Sequence, residues 1–518
     1  MRRYFPVLLI IIALSARIIP GSRIIDDSYI TYRYSRNILA GNGFTFNEGE
    51  RVLGTTTPLY TLMLTGLAVF TGGVQAPFPI ISWLLNSLFD AVSCVVLFEI
   101  GKKVSTFRVG AITALIWSIA PFSVTFAIGG LETSLFVLLL LLTSLFYLNQ
   151  QLSGLWLCAS LMILTRPDAL IFVLPLLCLP IIQKRWEIYQ PKEMILAAIP
   201  LVSWLVFSYI YFGTLLPHSI AAKSVAYLLP DNAAFIRLLQ HFLTPFGEEY
   251  TLNPNLLYIA LITIPLFFVV GSMTIFRKNP ITLPLLIYPL LYFITFSIAH
   301  PLIFRWYLTP PLPIYMLILL TGAETFLIKC FEIARGKQTT QKSPGINFTG
   351  PSWSAFPNTT LTIALLLPLF FTLNSWVLHP DHGNNSPSPE MAWIKLEELY
   401  MSASKDVIAA TTSDSVVAAG DVGVLGYNTN RTILDTVGLN TPVSSSYYPL
   451  PREDYVSNYA IPTQLILDQK PDVVVFLEVY GRNTLLKSTD FLSRYRFIKE
   501  YPTDIYESKG LLIYKRDD

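Results

Sequence analysis

The sequence predicts a polytopic α-helical membrane protein with a smaller α/β domain at its C-terminus. Its 518 residues are 53% hydrophobic and only 14% charged, with a mean hydropathy of +0.52, whereas soluble domains carry about 25% charged residues. The 128 residues from Met391 to Asp518 hold 13 Lys/Arg and 17 Asp/Glu, but the preceding 390 residues hold only 40 charges. The last quarter is therefore typical of a soluble domain. The net charge of +2 gives no indication of nucleic-acid binding.

The apolar runs predict the membrane helices in order along the chain. A spanning helix needs about 20 mostly apolar residues, and the first candidate is Tyr4 to Pro20. Because Arg17 and Ile18 do not form a small-residue cleavage site, we expect a retained first helix rather than a signal peptide. Further runs cover approximately 57–73, 76–100, 109–128, 132–149, 153–166, 168–183, 194–212, 255–276, 281–299, 307–328 and 359–378.

Basic clusters predict the orientation, since cytoplasmic loops carry excess Lys and Arg. The clusters are Arg2/Arg3, Lys102/Lys103/Arg108, Lys184/Arg185/Lys192, Arg277/Lys278 and Lys329/Arg335/Lys337/Lys342. All are cytoplasmic only if the short Thr- and Gly-rich run 57–73 does not cross, so we expect a juxtamembrane or re-entrant element there. This leaves about eleven crossings, with the N-terminus inside and the C-terminal domain outside.

The predicted domains follow from these spans. A transmembrane domain covers 1–379 and an extracytoplasmic α/β domain covers 380–518. Within the first, we expect an external loop with juxtamembrane helices at 26–75, a second external loop at 213–253 and a cytoplasmic linker at 329–358.

Asp26 and Asp27 directly follow the first helix. Two adjacent carboxylates at a low-dielectric boundary repel, which raises the pKa of one of them. Such a pair suits a general base or a cation ligand, while the alternative is a solvated helix-end cap.

The residues after this pair have helical spacing. Tyr29, Arg33 and Arg36 share one helix face. Because guanidinium groups match phosphate oxygens, this face suits a lipid phosphate; the alternative is an interfacial amphipathic helix with an aromatic anchor.

Other polar groups collect in the predicted external turns, which favours chemistry or binding on that side. Pro167 predicts a tight hairpin, in which Arg166 pairs either with Asp168 or with the Asp26/Asp27 site. Structural pairing is the simpler of these uses. Asp90 lies inside a predicted span, where an acid is either functional or hydrogen-bonded to a neighbouring helix residue such as Asn86. The full set of candidates for donor phosphate or substrate binding is Tyr29, Arg33, Arg36, Glu132, Arg166, Asp168, His218, Lys223 and Arg305.

Several sequence blocks resemble those of the GT-C glycosyltransferases. Asp26-Asp27-x-Tyr29 is similar to the aspartate motif that closely follows the first helix in these polytopic enzymes. The longer string through Gly54-Thr55-Thr56-Thr57-Pro58-Leu59 resembles the branch that includes the terminal β-(1→2)-arabinofuranosyltransferases of cell-wall arabinan. Four further segments of this sequence resemble later blocks of the same branch. They are Gly130-Leu131-Glu132-Thr133, Thr165-Arg166-Pro167-Asp168, Phe212-Gly213-Thr214-Leu215-Leu216-Pro217-His218 and Gly420-Asp421-Val422-Gly423.

The resemblance implies a membrane glycosyltransferase that moves a sugar from a polyprenyl-phosphate donor to an extracytoplasmic glycan, lipid or protein acceptor, with inversion. It implies a prokaryotic plasma membrane, and a catalytic base at Asp26 or Asp27, with Asp26 favoured as the first acid of the motif. A divalent cation serves some members, but no ligand set in this sequence demands one. The cations expected to stabilise the leaving phosphate are Arg33, Arg166, Lys223 and Arg305.

Two other functions are compatible with the composition. A transporter or lipid flippase with an external accessory domain would use a polar path past Asp90, although no internal repeat of the kind common in transporters is evident. A non-catalytic assembly protein would use the membrane part only to anchor the external domain. If the protein is instead an enzyme, we expect an external cavity with Asp26 or Asp27 at its floor.

Overall fold

The computed structural model describes residues 2–247, 254–338, 356–377 and 392–517. Most of the predicted cytoplasmic linker, part of the loop 213–253 and the start of the predicted C-terminal domain lie outside these ranges. Up to Val377 the described chain forms helices: α1 (Phe5–Ile18), α2 (Asp26–Leu39), α3 (Pro58–Thr71), α4 (Phe78–Val104), α5 (Phe107–Ile119), α6 (Pro121–Ile128), α7 (Thr133–Asn149), α8 (Leu152–Thr165), α9 (Leu170–Ile182), α10 (Pro191–Phe212), α11 (His218–Ala226), α12 (Ala233–Leu243), α13 (Pro254–Lys278), α14 (Leu283–Ala299), α15 (Arg305–Leu308), α16 (Leu312–Gln338) and α17 (Phe356–Val377).

Within the described ranges, five helices are long and apolar enough to cross a membrane: Phe78–Val104, Pro191–Phe212, Asn255–Lys278, Pro280–Ala299 and Leu312–Ile333. A sixth results if α5 and α6, which meet at 44°, form one broken span. The other apolar helices, including the 14-residue α1 and α3, are shorter. The chain is therefore an integral membrane protein, while the expected eleven crossings stay a prediction.

A buried ion pair joins the first helices. The Arg17 Nε of α1 lies 3.0 Å from Asp90 Oδ2 of α4, and both side chains are almost fully buried. Arg17 also donates to the carbonyl oxygens of Ala13 and Ser118 and to the Ser123 hydroxyl. The intramembrane acid thus pairs with Arg17 and not with Asn86, and one guanidinium joins α1, α4, α5 and α6.

Helices α13 and α16 approach very closely where each carries a glycine. A Cβ added at Gly271 would overlap the Ile318 carbonyl, and one added at Gly322 would overlap the Phe267 carbonyl. Small residues at such crossings allow backbones to pack without a hydrophobic driving force in lipid.

The residues after 391 form a mixed sheet with helices. The elements are α18 (Ala392–Ala410), β1 (Val416–Ala419), α19 (Gly423–Thr429), β2 (Thr432–Asp435), α20 (Thr463–Gln469), β3 (Val473–Leu477), α21 (Glu478–Gly481), α22 (Thr489–Arg494), β4 (Tyr495–Pro502) and β5 (Gly510–Arg516). The strand order is β2-β1-β3-β5-β4, with β1 parallel to β2 and β3 and the two remaining pairings antiparallel. The fully buried Val473–Leu477 forms the centre of this sheet, and α19 lies against α2.

Candidate active site

Two hydrogen bonds to the backbone carbonyl of Gly129, which caps α6, fix the first turn of α2. Ile25, in extended conformation before the helix, donates its N–H to the Gly129 carbonyl at 2.9 Å, and the Ser28 hydroxyl donates to the same carbonyl at 2.8 Å. Asp26 and Asp27 occupy this turn, where the helix dipole favours negative charge. Because adjacent helical residues point about 100° apart, the two carboxylates have different surroundings.

Asp26 contacts the C-terminal region. Its Oδ2 accepts the Gly423 N–H at 2.9 Å and its Oδ1 accepts the Val424 N–H at 2.7 Å. The side chain is buried. Burial and the nearby Asp421 raise the pKa of Asp26 well above its usual range, although the two amide bonds oppose this. Both oxygens are therefore occupied by backbone donors.

Asp27 instead lines a cavity of about 660 Å³. The cavity has a charged part, an apolar part and a segment rich in threonine. The charged and polar lining residues are Asp27, Thr31, Thr55, Thr56, Thr57, Glu132, Arg166, Asp168, Ser219, Lys223, Ser224, Tyr227, His300, Trp306 and Tyr307. The apolar part includes Leu228, Leu229, Phe296, Pro301 and Leu302.

Lys223 of α11 is the cation that acts on Asp27. Burial raises the pKa of Asp27, and the positive charge of Lys223 opposes that rise. Burial disfavours the Lys223 ammonium, but Tyr307, Asp27, Asp435 and Glu132 together outweigh this effect and raise the pKa of Lys223. The ammonium lies 4.7 Å from the centre of the Phe304 ring. Asp27 and Lys223 thus stabilise each other's charged forms through space.

A second charged group lines the same cavity. Arg166 holds Asp168 with two hydrogen bonds, Nε to Oδ1 at 2.9 Å and Nη2 to Oδ2 at 3.0 Å, as the sequence predicted. Its Nη1 lies 3.6 Å from Glu132 Oε1, and the Tyr292 hydroxyl donates to Asp168. The guanidinium is therefore oriented by two carboxylates, and it adds little net positive charge to the cavity.

The predicted phosphate-binding face of α2 contacts the C-terminal region instead of the cavity. The Tyr29 hydroxyl donates to Glu397. Arg33 donates to the Arg431 carbonyl at 2.7 Å, and Arg36 to the Tyr427 carbonyl at 2.8 Å. These bonds place Tyr29, Arg33 and Arg36 at an internal interface, and a phosphate-binding role for them stays a prediction.

Two other predicted residues lie outside the cavity lining. The His218 backbone N–H donates to the Leu53 carbonyl at 2.8 Å, and its imidazole Nε2 lies 3.5 Å from the Ser445 hydroxyl. The Arg305 guanidinium lies 5.6 Å from the centre of the Phe122 ring. Of the candidates, the structure brings together Asp27, Glu132, Arg166, Asp168 and Lys223.

Several lining residues were not among the predicted site residues. Thr55 to Thr57 belong to the Gly54-Thr55-Thr56-Thr57 block, so this resemblance could have indicated them. His300 and Tyr227 carried no local signal. Asp421 lies near the site through the C-terminal region: burial raises its pKa to about 6, and the charge of Asp27 adds to the effect.

The described residues contain no group of three or more His, Cys, Asp or Glu side chains that could hold a metal ion. Asp27 also shares its cavity with the positive charge of Lys223. Within the described part of the chain, Asp27 thus does not belong to a cluster of ligands of the kind that a divalent cation needs.

A family described as a domain of unknown function (DUF8728) matches residues 392–514. The terminal β-(1→2)-arabinofuranosyltransferase of Mycobacterium tuberculosis is 29% identical over 231 residues, covering 39% of this chain. The match spans about a third of that relative, 35% of its length.

Two solved structures cover nearly the whole chain. ArnT from Cupriavidus metallidurans bound to undecaprenyl phosphate has a TM-score of 0.57 at 12% identity, covering 98% of this chain and 97% of ArnT. The oligosaccharyltransferase AglB from Archaeoglobus fulgidus, in complex with an inhibitory peptide and a dolichol-phosphate, has a TM-score of 0.54 at 10% identity, covering 99% and 74%. These likenesses confirm the predicted GT-C resemblance at the level of the fold.

Proposed function

We propose that this protein is a membrane glycosyltransferase that moves a sugar from a polyprenyl-phosphate donor to an extracytoplasmic glycan, lipid or protein acceptor, with inversion. The observation that carries the proposal is the carboxylate of Asp27 in a 660 Å³ cavity beside Lys223, in a chain with the fold of ArnT. A likeness to the terminal arabinofuranosyltransferase makes arabinofuranose the first donor sugar to test.

Asp27 acts as the general base. It takes the proton from an acceptor hydroxyl as that oxygen forms a bond to the anomeric carbon of the donor. The bond from the anomeric carbon to the phosphate oxygen breaks, and polyprenyl phosphate leaves with the electron pair. Burial raises the pKa of both carboxyl groups, so each is a stronger base than a solvated carboxylate. The two differ in access, because Asp27 lines the cavity whereas both Asp26 oxygens accept backbone N–H groups. The preference for Asp26 is thus reversed.

Lys223 stabilises the leaving phosphate. Its ammonium lines the same cavity as Asp27, and the negative charge of Asp27 acts on it, so a phosphate in this cavity would lie near a positive charge. Arg166, held by Asp168 and Glu132, orients a donor oxygen rather than supplying a free charge. Preformed donors directed at a developing negative charge make a large contribution to catalysis.

The apolar part of the cavity suits the isoprenoid chain. Leu228, Leu229, Phe296 and Leu302 line it next to the charged residues. This arrangement favours a lipid-linked donor over a water-soluble nucleotide sugar, because an apolar lining gains free energy by removing hydrocarbon from water.

The membrane topology belongs to the same proposal. A transmembrane domain covers 1–379 with about eleven crossings, the N-terminus is cytoplasmic, and 380–518 form an α/β domain outside a prokaryotic inner membrane. The sheet and helices after Ala392 support the second domain. A transporter is less well supported, because Asp90 pairs with a buried arginine and does not line the cavity.

The test is sugar transfer by membranes that contain the protein. Donors are polyprenyl-phosphate arabinofuranose, polyprenyl-phosphate mannose and polyprenyl-phosphate aminoarabinose, with lipid, glycan and protein fractions analysed for labelled sugar. Transfer from one donor that requires Asp27 supports the proposal. Translocation of the donor across vesicles without any transfer would support the flippase alternative instead.

A further inference from the structure

The contact between Asp26 and the C-terminal region is unusually complete. Two successive backbone N–H groups, those of Gly423 and Val424, donate to the two different carboxylate oxygens at 2.9 and 2.7 Å. The Asp26 side chain is only 5% exposed. Because both carboxyl oxygens are bound to successive backbone groups, this contact fixes α19 against the first turn of α2.

Gly423 makes the close approach possible. A Cβ at this position would overlap the backbone carbonyl oxygen of Asp26 and would also press on its Oδ2. A side chain as small as that of alanine would therefore force α19 away from α2. The contact depends on the Asp26 carboxylate in α2 and on the missing side chain of Gly423 in α19. A substitution at either residue can therefore break it.

The rest of this helix face continues the same interface. Arg33 and Arg36 donate to carbonyl oxygens of the C-terminal region, and Tyr29 donates to Glu397. Asp26 lies at the end of this row that is nearest the cavity, and its neighbour Asp27 lines the cavity. The opposite side of the turn is bound to the Gly129 carbonyl. The turn that carries Asp27 is thus held between two partners.

We propose that Asp26 is a positioning residue that fixes the direction of Asp27 by binding the Gly423–Val424 backbone. The first acid of the pair would then act through the C-terminal region, and the second would touch the substrate. The role of Asp27 in this inference rests on the proposed function.

Three variants test the inference. Asp26→Asn keeps the shape of the side chain but replaces one acceptor oxygen by an NH2 group, which faces a backbone N–H. Gly423→Ala breaks the same contact from the other side. Asp26→Glu keeps two acceptor oxygens. The control is Gly66→Ala, because Gly66 is exposed and an added Cβ there meets no atom within 4 Å.

The first readout is transfer from polyprenyl-phosphate arabinofuranose. Misplacing a reacting group by about 1 Å can cost a factor of about 100 in rate. We therefore expect kcat to fall about 10- to 100-fold in both Asp26→Asn and Gly423→Ala, with the donor KM changed less than about threefold. Because both changes break one contact, the double variant loses little more than either single variant. Asp26→Glu recovers part of kcat.

The second readout needs no turnover. Hydrogen exchange of the Gly423 and Val424 amides should become faster in Asp26→Asn, whereas Asp27→Asn should leave it unchanged. If wild-type membranes transfer no sugar, the proposed function fails, and this exchange measurement still decides whether Asp26 holds the C-terminal region.

Two results would overturn the inference. One is unchanged exchange of both amides in Asp26→Asn. The other is near-complete loss of activity in Asp26→Asn and Asp26→Glu together with normal kcat in Gly423→Ala, since that pattern belongs to a base at Asp26 itself.

Discussion

Replacing Asp90 by asparagine should strongly destabilise the membrane part. In the wild-type protein the fully buried Arg17 guanidinium lies 3.0 Å from the Asp90 carboxylate. The change removes this counter-charge. Breaking a buried pair by removing one partner costs about 3–5 kcal/mol, because the remaining charge is uncompensated. The hydrogen bonds from Arg17 to Ala13, Ser118 and Ser123 remain and still stabilise the guanidinium charge. We therefore expect a loss of unfolding free energy in the lower half of that range.

The assay is equilibrium unfolding of the purified protein in mixed micelles. The matched control is Glu99→Gln in the same helix, because Glu99 pairs with Lys102 at 2.8 Å but both side chains are about 40% exposed. An exposed pair contributes about 0–1 kcal/mol. The double variant Arg17→Met/Asp90→Leu should recover most of the loss, since no charge remains buried.

A transport role for Asp90 predicts a different result. In that case Asp90→Asn would retain the wild-type unfolding free energy and lose activity alone. If Asp90→Asn and Glu99→Gln lowered the free energy of unfolding by the same small amount, burial of the Arg17–Asp90 pair would not contribute to the effect.

Two further predictions concern the site and the helix packing. Lys223→Met should move the acidic limb of the kcat/KM profile to higher pH, because Lys223 lowers the pKa of Asp27 and a base must be deprotonated to act. An unshifted limb would show that the charge of Lys223 does not act on the catalytic base. Gly322→Leu should force α16 away from Phe267 and cost about 1–3 kcal/mol of unfolding free energy, while wild-type stability in this variant would contradict the close packing.

The long membrane helices could be predicted from the sequence because the signal is local. The apolar runs 76–100 and 194–212 match helices Phe78–Val104 and Pro191–Phe212 closely. The run 109–128 contains a break at Pro121, which has no N–H to continue α5. Hydropathy alone did not reveal this break.

The choice between Asp26 and Asp27 could not be made from the sequence. Both residues occupy the first turn of the same helix, and their surroundings depend on residues almost 400 positions away, Gly423 and Val424. The partners of Arg33 and Arg36, the carbonyl groups of Arg431 and Tyr427, are equally distant along the chain. A helix face of tyrosine and arginine suits a phosphate and an internal interface equally well. The pairing of Arg166 with Asp168 was predictable, because only Pro167 separates them.

The proposed role of Asp27 as the base of a glycosyl transfer can be measured by single-turnover transfer from polyprenyl-phosphate arabinofuranose. The comparison is between wild-type and Asp27→Asn protein. A general base contributes about 10²- to 10⁴-fold, so we expect a loss of rate in this range with donor binding retained. Wild-type transfer rates in Asp27→Asn would contradict it.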